Sequence, residues 1–323
     1  MEFFKSNKIQ DFMGKSKLFM AFSIFMIIAS WAIIFTKGLN YGIDFAGGTL
    51  VQVQYKQKAP IKDIREAVSK VKEYSSASVT EFGTPKEVVI KIPTSTTSVG
   101  TDVGDKIRGL LKGTGDFKIR RVDMVGPKVG SELREKGLMA MLLSIGTILV
   151  YIAFRFEWRF GIASVLALVH DVSIALGMIA LFRIDVNLDI LAAILTIMGY
   201  SLNDTIIVFD RIREGIRESK VYDLFQIINE SITKTLSRTT LTSLTTFFVV
   251  LTLYLFGGEI INGFSFTMLI GVIVGTYSSI FIASPLLKWL GFNVEEYKKN
   301  EAKKEKLRIE KEKMRAQFEG GVV

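Results

Sequence analysis

The sequence predicts an α-helical membrane protein: six transmembrane helices, with one small extramembrane domain of β-α-β-β-α-β order between the first and second. Three observations predict it. Hydrophobic residues make up 49% of the chain and mean hydropathy is +0.34, a balance that shifts the prior away from soluble proteins. The apolar residues are bunched into six runs near the ~20 residues that a helix needs to cross a bilayer core. The basic residues of the short connections fall in alternate loops. With no cysteine there is no disulfide framework or thiolate metal site, and a single histidine, His170, argues against a histidine-rich metal centre.

The runs lie at 18–36, 138–154, 160–182, 189–209, 239–256 and 264–287. The first follows Lys15 and Lys17 as a leader would. It is long for a leader's apolar stretch, and "IIFTKG" offers no small-x-small cleavage pattern, so it reads as a retained anchor. The fourth and fifth carry the most polar residues. Lys5, Lys8, Lys15 and Lys17 precede span one, and Arg155 and Arg159 separate spans two and three. Arg211, Arg213, Arg217, Lys220 and Lys234 fill the connection from four to five, and Lys288 opens the tail. The other connections, "RIDVNL" and "GGEIING", hold only Arg183. Both termini are therefore expected on the cytoplasmic side, with Trp158 and Trp289 as interfacial aromatics there. The expected organisation is a cytoplasmic N-terminus to 17, span one, an outer domain over 37–137, a bundle over 138–287 and a charged tail over 288–323.

The outer domain reads strand ("TLVQVQY"), helix ("PIKDIREAVSKVK"), strand ("SASVTEF"), strand ("KEVVIKIP"), helix ("GTDVGDKIRGLLK"), strand ("DFKIRRVDMV"). That order is the ferredoxin-like split βαβ. Pro60 suits a first helical turn, and Gly83-Thr84-Pro85 suits a turn between the central strands. Basic and acidic residues alternate, which argues against a nucleic-acid face. The tail mixes ten basic with seven acidic residues over 288–323 and reads as a solvated helix held by i,i+4 pairs.

Polar residues inside the spans are the candidate functional groups. Asp204 lies about 22 Å along span four at 1.5 Å per residue, past the midplane. Arg238 stands at the entrance to span five, where it can reach inward or snorkel out. Asp171 is the deepest acid, beside His170 in span three. An Asp at a helix centre costs roughly 2.5–3.5 kcal/mol on insertion scales, so each needs partners or a wet cavity. Asp204 is then either half of a buried ion pair with Arg238 or a protonation site whose charge changes helix packing. His170 and Asp171 point about 100° apart and are not expected to face one partner. Arg238, Thr242 and Thr245 share a face of span five, and Thr196, Gly199 and Asn203 recur at helical spacing in span four. These hydroxyls either bond back to their own helices, or line a hydrated path or bond between helices. Gly271, Gly275, Ser279 and Ala283, every fourth residue, form a small-residue packing seam in span six. There is no phosphate loop, nucleophile elbow or zinc spacing, so an enzyme is not expected.

The stretches "YGIDFAGGT", "VGPKVG", "HD" in span three, "SLNDTIIVFDRIRE" and "SRTTLTSLTT" together resemble the SecF family, across essentially the whole chain except the tail. That family is the smaller membrane subunit of the bacterial SecD–SecF export complex, within the RND superfamily. The resemblance implies a six-helix RND-type half with a periplasmic ferredoxin-like domain, in the bacterial inner membrane. It implies that the proton motive force drives preproteins through SecYEG after the ATP-driven step, with protons as the coupling ion and no cofactor. Implied partners are SecD, the SecYEG channel, unfolded preproteins, other inner-membrane Sec accessory proteins and the lipid bilayer, with no nucleic acid. In the proton-transport region the motifs match Asn203, Asp204 and Arg238, with Thr242 beside them and Asp171 and His170 as further candidates. The family's other essential acid lies in SecD and has no counterpart here. Gly42, Gly47 and Gly48 match the stretch leading into the outer domain and are candidate pivots or tight turns. A non-conducting scaffold subunit of the same complex and an RND-type efflux permease remain alternatives.

Overall fold

A computed structural model describes residues 9–93 and 103–319. Lys5, Lys8 and the first residues of the expected second domain helix, Gly100 to Asp102, lie outside the described residues. Among the described residues, six helical segments are long and apolar enough to cross a membrane. They are α1 (Ser16–Lys37), α5 (Pro127–Arg155), α6 (Trp158–Leu181), α7 (Leu188–Glu218), α8 (Leu224–Phe256), and a composite of α9 (Glu259–Ser278) and α10 (Ser284–Trp289). Between span one and α5 lie β1 (Asn40–Tyr41), α2 (Ile43–Ala46), β2 (Gly48–Tyr55), α3 (Ile61–Ser69), β3 (Ser78–Phe82), β4 (Thr84–Pro93), α4 (Val103–Leu110) and β5 (Phe117–Val125). A second short strand, β6 (Asp185–Val186), precedes α7, and the tail is α11 (Val294–Glu319).

Four spans run beyond the apolar cores read from sequence. Pro127 starts α5 because a first helical turn needs no proline N–H. Residues 127–137, expected in the outer domain, therefore continue the second span outward. The basic connection between spans four and five is mostly helix as well: Arg211, Arg213 and Arg217 lie on α7, and Lys234 lies on α8. The side chain of Asn187 caps α7 through Ile190 N at 3.0 Å, and Asp223 caps α8 through Phe225 N at 3.0 Å. In span six a π-turn, Ser279–Ala283, separates α9 from α10. Pro285 lacks an N–H and crowds the carbonyl four residues back, which widens the helix there. The Ser284 hydroxyl donates to the Ser279 carbonyl at 2.9 Å, satisfying a group that the widening frees.

In the bundle, α6 and the sixth span are central, while α1, α5 and α8 keep most of their apolar surface outward. Serines at seven-residue spacing, Ser16, Ser23 and Ser30, are buried on α1. A Cβ on Gly177 of α6 would sit 2.3 Å from that of Ser30, so the missing side chain lets the two helices approach closely there.

The outer sheet runs β3-β4-β2-β5 with every pairing antiparallel, the strand order of a split βαβ domain. Val51, Val53, Tyr55, Val88 and Ile90 point to one side, where Ile64 and Val68 of α3 and Ile107 of α4 cover them. The central turn is tighter than expected: Gly83 alone separates β3 from β4, at φ +70, and Thr84 and Pro85 belong to β4. The opposite sheet face looks onto the outer end of the bundle across a cleft of about 660 Å³. Docking there is polar. β1 pairs in parallel with β6, Asp185 accepts from both Asn40 and Lys91, and Asp44 accepts from Leu188 N at 3.0 Å.

The tail departs from the expected fully solvated helix at its base. Phe292 and Val294 are buried in the inner-end core, and Glu301 accepts from Arg217 at 2.5 Å. Burial, followed by the Glu301 carboxylate, pushes the Tyr297 hydroxyl above its ordinary pKa. The later turns, to residue 315, are exposed.

Candidate functional site: buried carboxylates in the bundle

The buried face of α7 carries Ile197, Ser201, Asp204, Thr205 and Val208, three or four residues apart as one helical face requires. It packs on α9 through the glycine seam. A Cβ on Gly271 would come within 2.2 Å of Ile197, and one on Gly275 within 2.9 Å of the Ser201 Cβ. The seam read from sequence is therefore a packing device. It also brings α7 close enough for its polar residues to meet those of its neighbours.

Two carboxylates result. Asp171 on α6 has no exposed surface. Its Oδ2 accepts from Ser201 of α7 at 2.5 Å and from Ser278 of α9 at 2.9 Å, and its Oδ1 meets His170 Nδ1 at 2.8 Å. Asp204 is 1% exposed and accepts from the Ser243 hydroxyl of α8 at 3.2 Å. Behind it, Thr276 of α9 donates to Ser243 at 2.8 Å. Ser201 and Asp204 are three residues apart, so the two sites share one face of α7.

Of the two readings left open for Asp204, the ion pair does not form, and the reading of His170 and Asp171 is corrected. Asp204 and Arg238 do not pair: Arg238 is exposed, and among the described residues no carboxylate lies within ion-pair distance of it. Their positions on α7 and α8 turn one inward and the other out. His170 and Asp171, expected to face different surroundings, both meet span six. Asp171 bonds Ser278, while the His170 ring stacks on Tyr277, with centroids 6.1 Å apart. The 100° divergence holds, but α6 is enclosed by α1, α7 and α9, so both directions end in protein. Tyr277 in turn donates to the Phe19 carbonyl at 2.7 Å and shares a 2.9 Å bond with Ser23 of α1.

The remaining candidates divide by face. Asn203 and Thr242 are exposed, as are Thr196, Gly199 and Thr245. Thr242 and Thr245 bond back to carbonyls of α8, and Thr196 to Ala192 of α7, so these hydroxyls do not link helices. Gly47 and Gly48 have φ of +74 and +144, and a Cβ on Gly48 would meet the Ile92 carbonyl at 2.7 Å, so the turn requires both glycines. A Cβ on Gly130 of α5 would meet Gly47 N at 2.9 Å, which ties this turn to the second span. Gly42 has ordinary φ and donates to the Val186 carbonyl at 2.8 Å. Sequence reading missed Ser201, Ser243, Thr276, Tyr277 and Ser278. The run "GTYSS" inside an otherwise apolar span was the available signal for the last three.

Fold and site together define a class: a multi-pass membrane protein whose helical bundle encloses carboxylates beneath a docked split βαβ domain. The family model described as "Protein export membrane protein SecD/SecF, C-terminal" matches residues 106–293, and that of the "SecD/SecF GG Motif" matches 32–59. A protein translocase subunit SecF from Helicobacter pylori (strain J99) is 50% identical over 323 residues, covering 100% of both chains. That of Escherichia coli O157:H7 is 39% identical over 301 residues, 92% of this chain and 93% of its own. The crystal structure of SecDF from Thermus thermophilus, a translocon-associated membrane protein, matches with a TM-score of 0.80 at 35% identity. The match covers 88% of this chain and 39% of that longer one. The chain belongs to the SecF family of protein translocase subunits.

Proposed function

We propose that this chain is the SecF subunit of a SecD–SecF complex in a bacterial inner membrane, with both termini cytoplasmic. There it uses the proton motive force to move preproteins through SecYEG after the ATP-driven step. The observation that carries the reading is the setting of Asp204. It is a buried carboxylate held by hydroxyls and by no cation among the described residues. A hydroxyl donates to a carboxylate and, by rotating, accepts from a carboxylic acid. Both protonation states therefore keep a partner, whereas a buried ion pair would lock the charged one.

Loading Asp204 with a proton removes a charge between α7, α8 and α9. One elementary charge moved through the membrane potential is worth about 2.3 kcal/mol per 100 mV, enough to bias a packing equilibrium tens-fold. The docked outer domain supports a mechanical output. Asp44 holds the first turn of α7 and Asp185 holds Lys91 of the sheet, so a shift of α7 is transmitted to the domain.

The exposed stripe of Asn203, Arg238 and Thr242 supports SecD as partner. Polar side chains facing lipid are costly, and a second subunit covering that face would supply both partners and the acid that this chain lacks. The test is preprotein completion in proteoliposomes holding SecYEG, its motor ATPase, SecD and this chain under an imposed proton gradient. Asp204→Asn, confirmed to assemble, is expected to abolish the stimulation by the gradient. Full stimulation in that variant would make Asp204 a packing element and sink the proton-coupled reading.

A further inference from the structure

At the end of the bundle where both termini lie, the α5–α6 connection, the end of α7 and the base of α11 enclose a pocket of about 440 Å³. Five basic and three acidic side chains line it. Two of the acids are already engaged, Glu157 by Arg159 and Glu301 by Arg217. The Arg213 guanidinium has no carboxylate contact among the described residues. It donates to the Arg155 carbonyl at 3.0 Å and lies 5.5 Å from the Phe156 ring centroid. Arg155 stacks on the same ring at 5.7 Å, and Arg159 on Trp158 at 5.0 Å. Aromatic rings thus flank three guanidinium groups, of which Arg155 also pairs with Asp210 at 3.3 Å and Arg159 with Glu157, which leaves Arg213 with the most unused N–H donors. The Nε of Arg159 is buried with no hydrogen-bond partner among the described residues, a donor that calls for an acceptor.

The pocket's position favours one source of such an acceptor. Phe154, 88% exposed, ends span two, and Trp158, 53% exposed, starts span three. The cationic groups therefore sit at the boundary between hydrocarbon and headgroup, with an apolar wall toward the hydrocarbon. A soluble anion would use the guanidinium groups alone, whereas a phospholipid uses both features. Basic pockets at helix ends are established as headgroup sites in membrane proteins generally.

We propose that this pocket binds the phosphate headgroup of an anionic phospholipid, its acyl chains lying against Phe154 and Trp158. Arg213 and Arg159 supply the phosphate contacts, and the α11 base closes the pocket from the aqueous side. The site would tie the docking of α11 to lipid composition. It rests on the six-span architecture alone and is independent of proton coupling.

The test uses the full chain in mild detergent with equimolar phosphatidylglycerol and phosphatidylcholine, retained lipids being counted by native mass spectrometry. Phosphatidylglycerol is expected to be retained in preference, and Arg213→Gln to lower its retention about tenfold, as loss of a charge-assisted hydrogen bond implies. Lys304→Gln, on an exposed rim position of α11, is expected to lower it a few-fold, consistent with a weaker surface charge contribution. That second variant decides the matter should Arg213→Gln fail to fold. Equal retention of the two lipids, or wild-type retention in the folded variants, overturns the proposal. Complete displacement of phosphatidylglycerol by millimolar inorganic phosphate also overturns it, in favour of a soluble phosphate site. Displacement by an acidic peptide but not by lipid would mark a protein-docking site instead.

Discussion

Asp171 and Asp204 lie on neighbouring central helices and are equally buried, yet they are held in opposite ways. Asp171 accepts from two serines on two other helices and meets its own neighbour His170, so both carboxylate oxygens are engaged at 2.9 Å or less. Asp204 accepts from the Ser243 hydroxyl at 3.2 Å, with the Thr276 hydroxyl beside it, and has no contact as short as those of Asp171. The difference teaches how many helices each buried acid ties together. A carboxylate bridging three helices through short bonds is a structural junction, and its removal strands several donors at once. One served by a longer bond ties less of the packing together. Both depend on the glycine seam of α9, which sets the distance between α7 and its partners.

The largest expected effect breaks the Asp171 side of this contrast. Asp171→Ala leaves the Ser201 hydroxyl and the His170 ring without their shared acceptor, while the Ser278 hydroxyl keeps the Gly275 carbonyl at 3.1 Å. At about 1–3 kcal/mol for each unsatisfied buried group, a loss of about 3 kcal/mol or more follows. Thermal unfolding of the purified chain in detergent should show a large drop in Tm. Asp204→Asn, by contrast, should stay within about 1 kcal/mol of wild type, since the amide keeps the shape and a hydrogen bond. Equal drops would erase the distinction between the two sites.

A smaller effect sharpens it. Ser201→Ala removes one of the hydroxyls serving Asp171 and should cost about 1–3 kcal/mol, as a hydrogen bond to a charged group. Ser243→Ala removes the hydroxyl serving Asp204 across a longer bond and should cost less in Tm, but it should weaken gradient-driven export in the proteoliposome assay. Stability loss without loss of coupling in Ser243→Ala would place Ser243 with the structural network.

Much of this architecture is legible in the amino-acid order itself. Span positions, strand order and the glycine seam follow from patterns within one segment: hydropathy, alternation and four-residue spacing. Pairing across segments is not legible in that way. Opposite charges on consecutive spans suggest an Asp204–Arg238 pair, yet α7 and α8 present these residues to different faces. Adjacent His170 and Asp171 suggest that the two cannot face one partner, yet the outward side of α6 falls to Leu166 and Val169, and both polar residues turn into the bundle. The serines at 16, 23 and 30 of α1 are equally hard to read, because a small polar residue in an apolar run matters only once its neighbour, here Gly177, is known. The base of the charged tail docks through Phe292 and Val294, two apolar residues that the dominant Lys and Glu composition masks.

The smallest expected effect on the isolated chain concerns the outward face. Arg238 makes no ion pair among the described residues and is exposed. Arg238→Gln should therefore leave the unfolding free energy of the purified chain within about 0.5 kcal/mol of wild type and Tm nearly unchanged, as for surface substitutions away from buried networks. The same substitution should lower the yield of SecD co-purified from membranes, because the exposed stripe it shares with Thr242 would have lost its only charge. A fall in Tm of the isolated chain would show that Arg238 reaches inward to Asp204. Asp204 would then be half of an ion pair, and the contrast with Asp171 would disappear. Unchanged Tm with reduced SecD recovery would instead separate two polar faces of one helix pair: an inner face enclosed by the bundle, and an outer face that recruits a partner subunit.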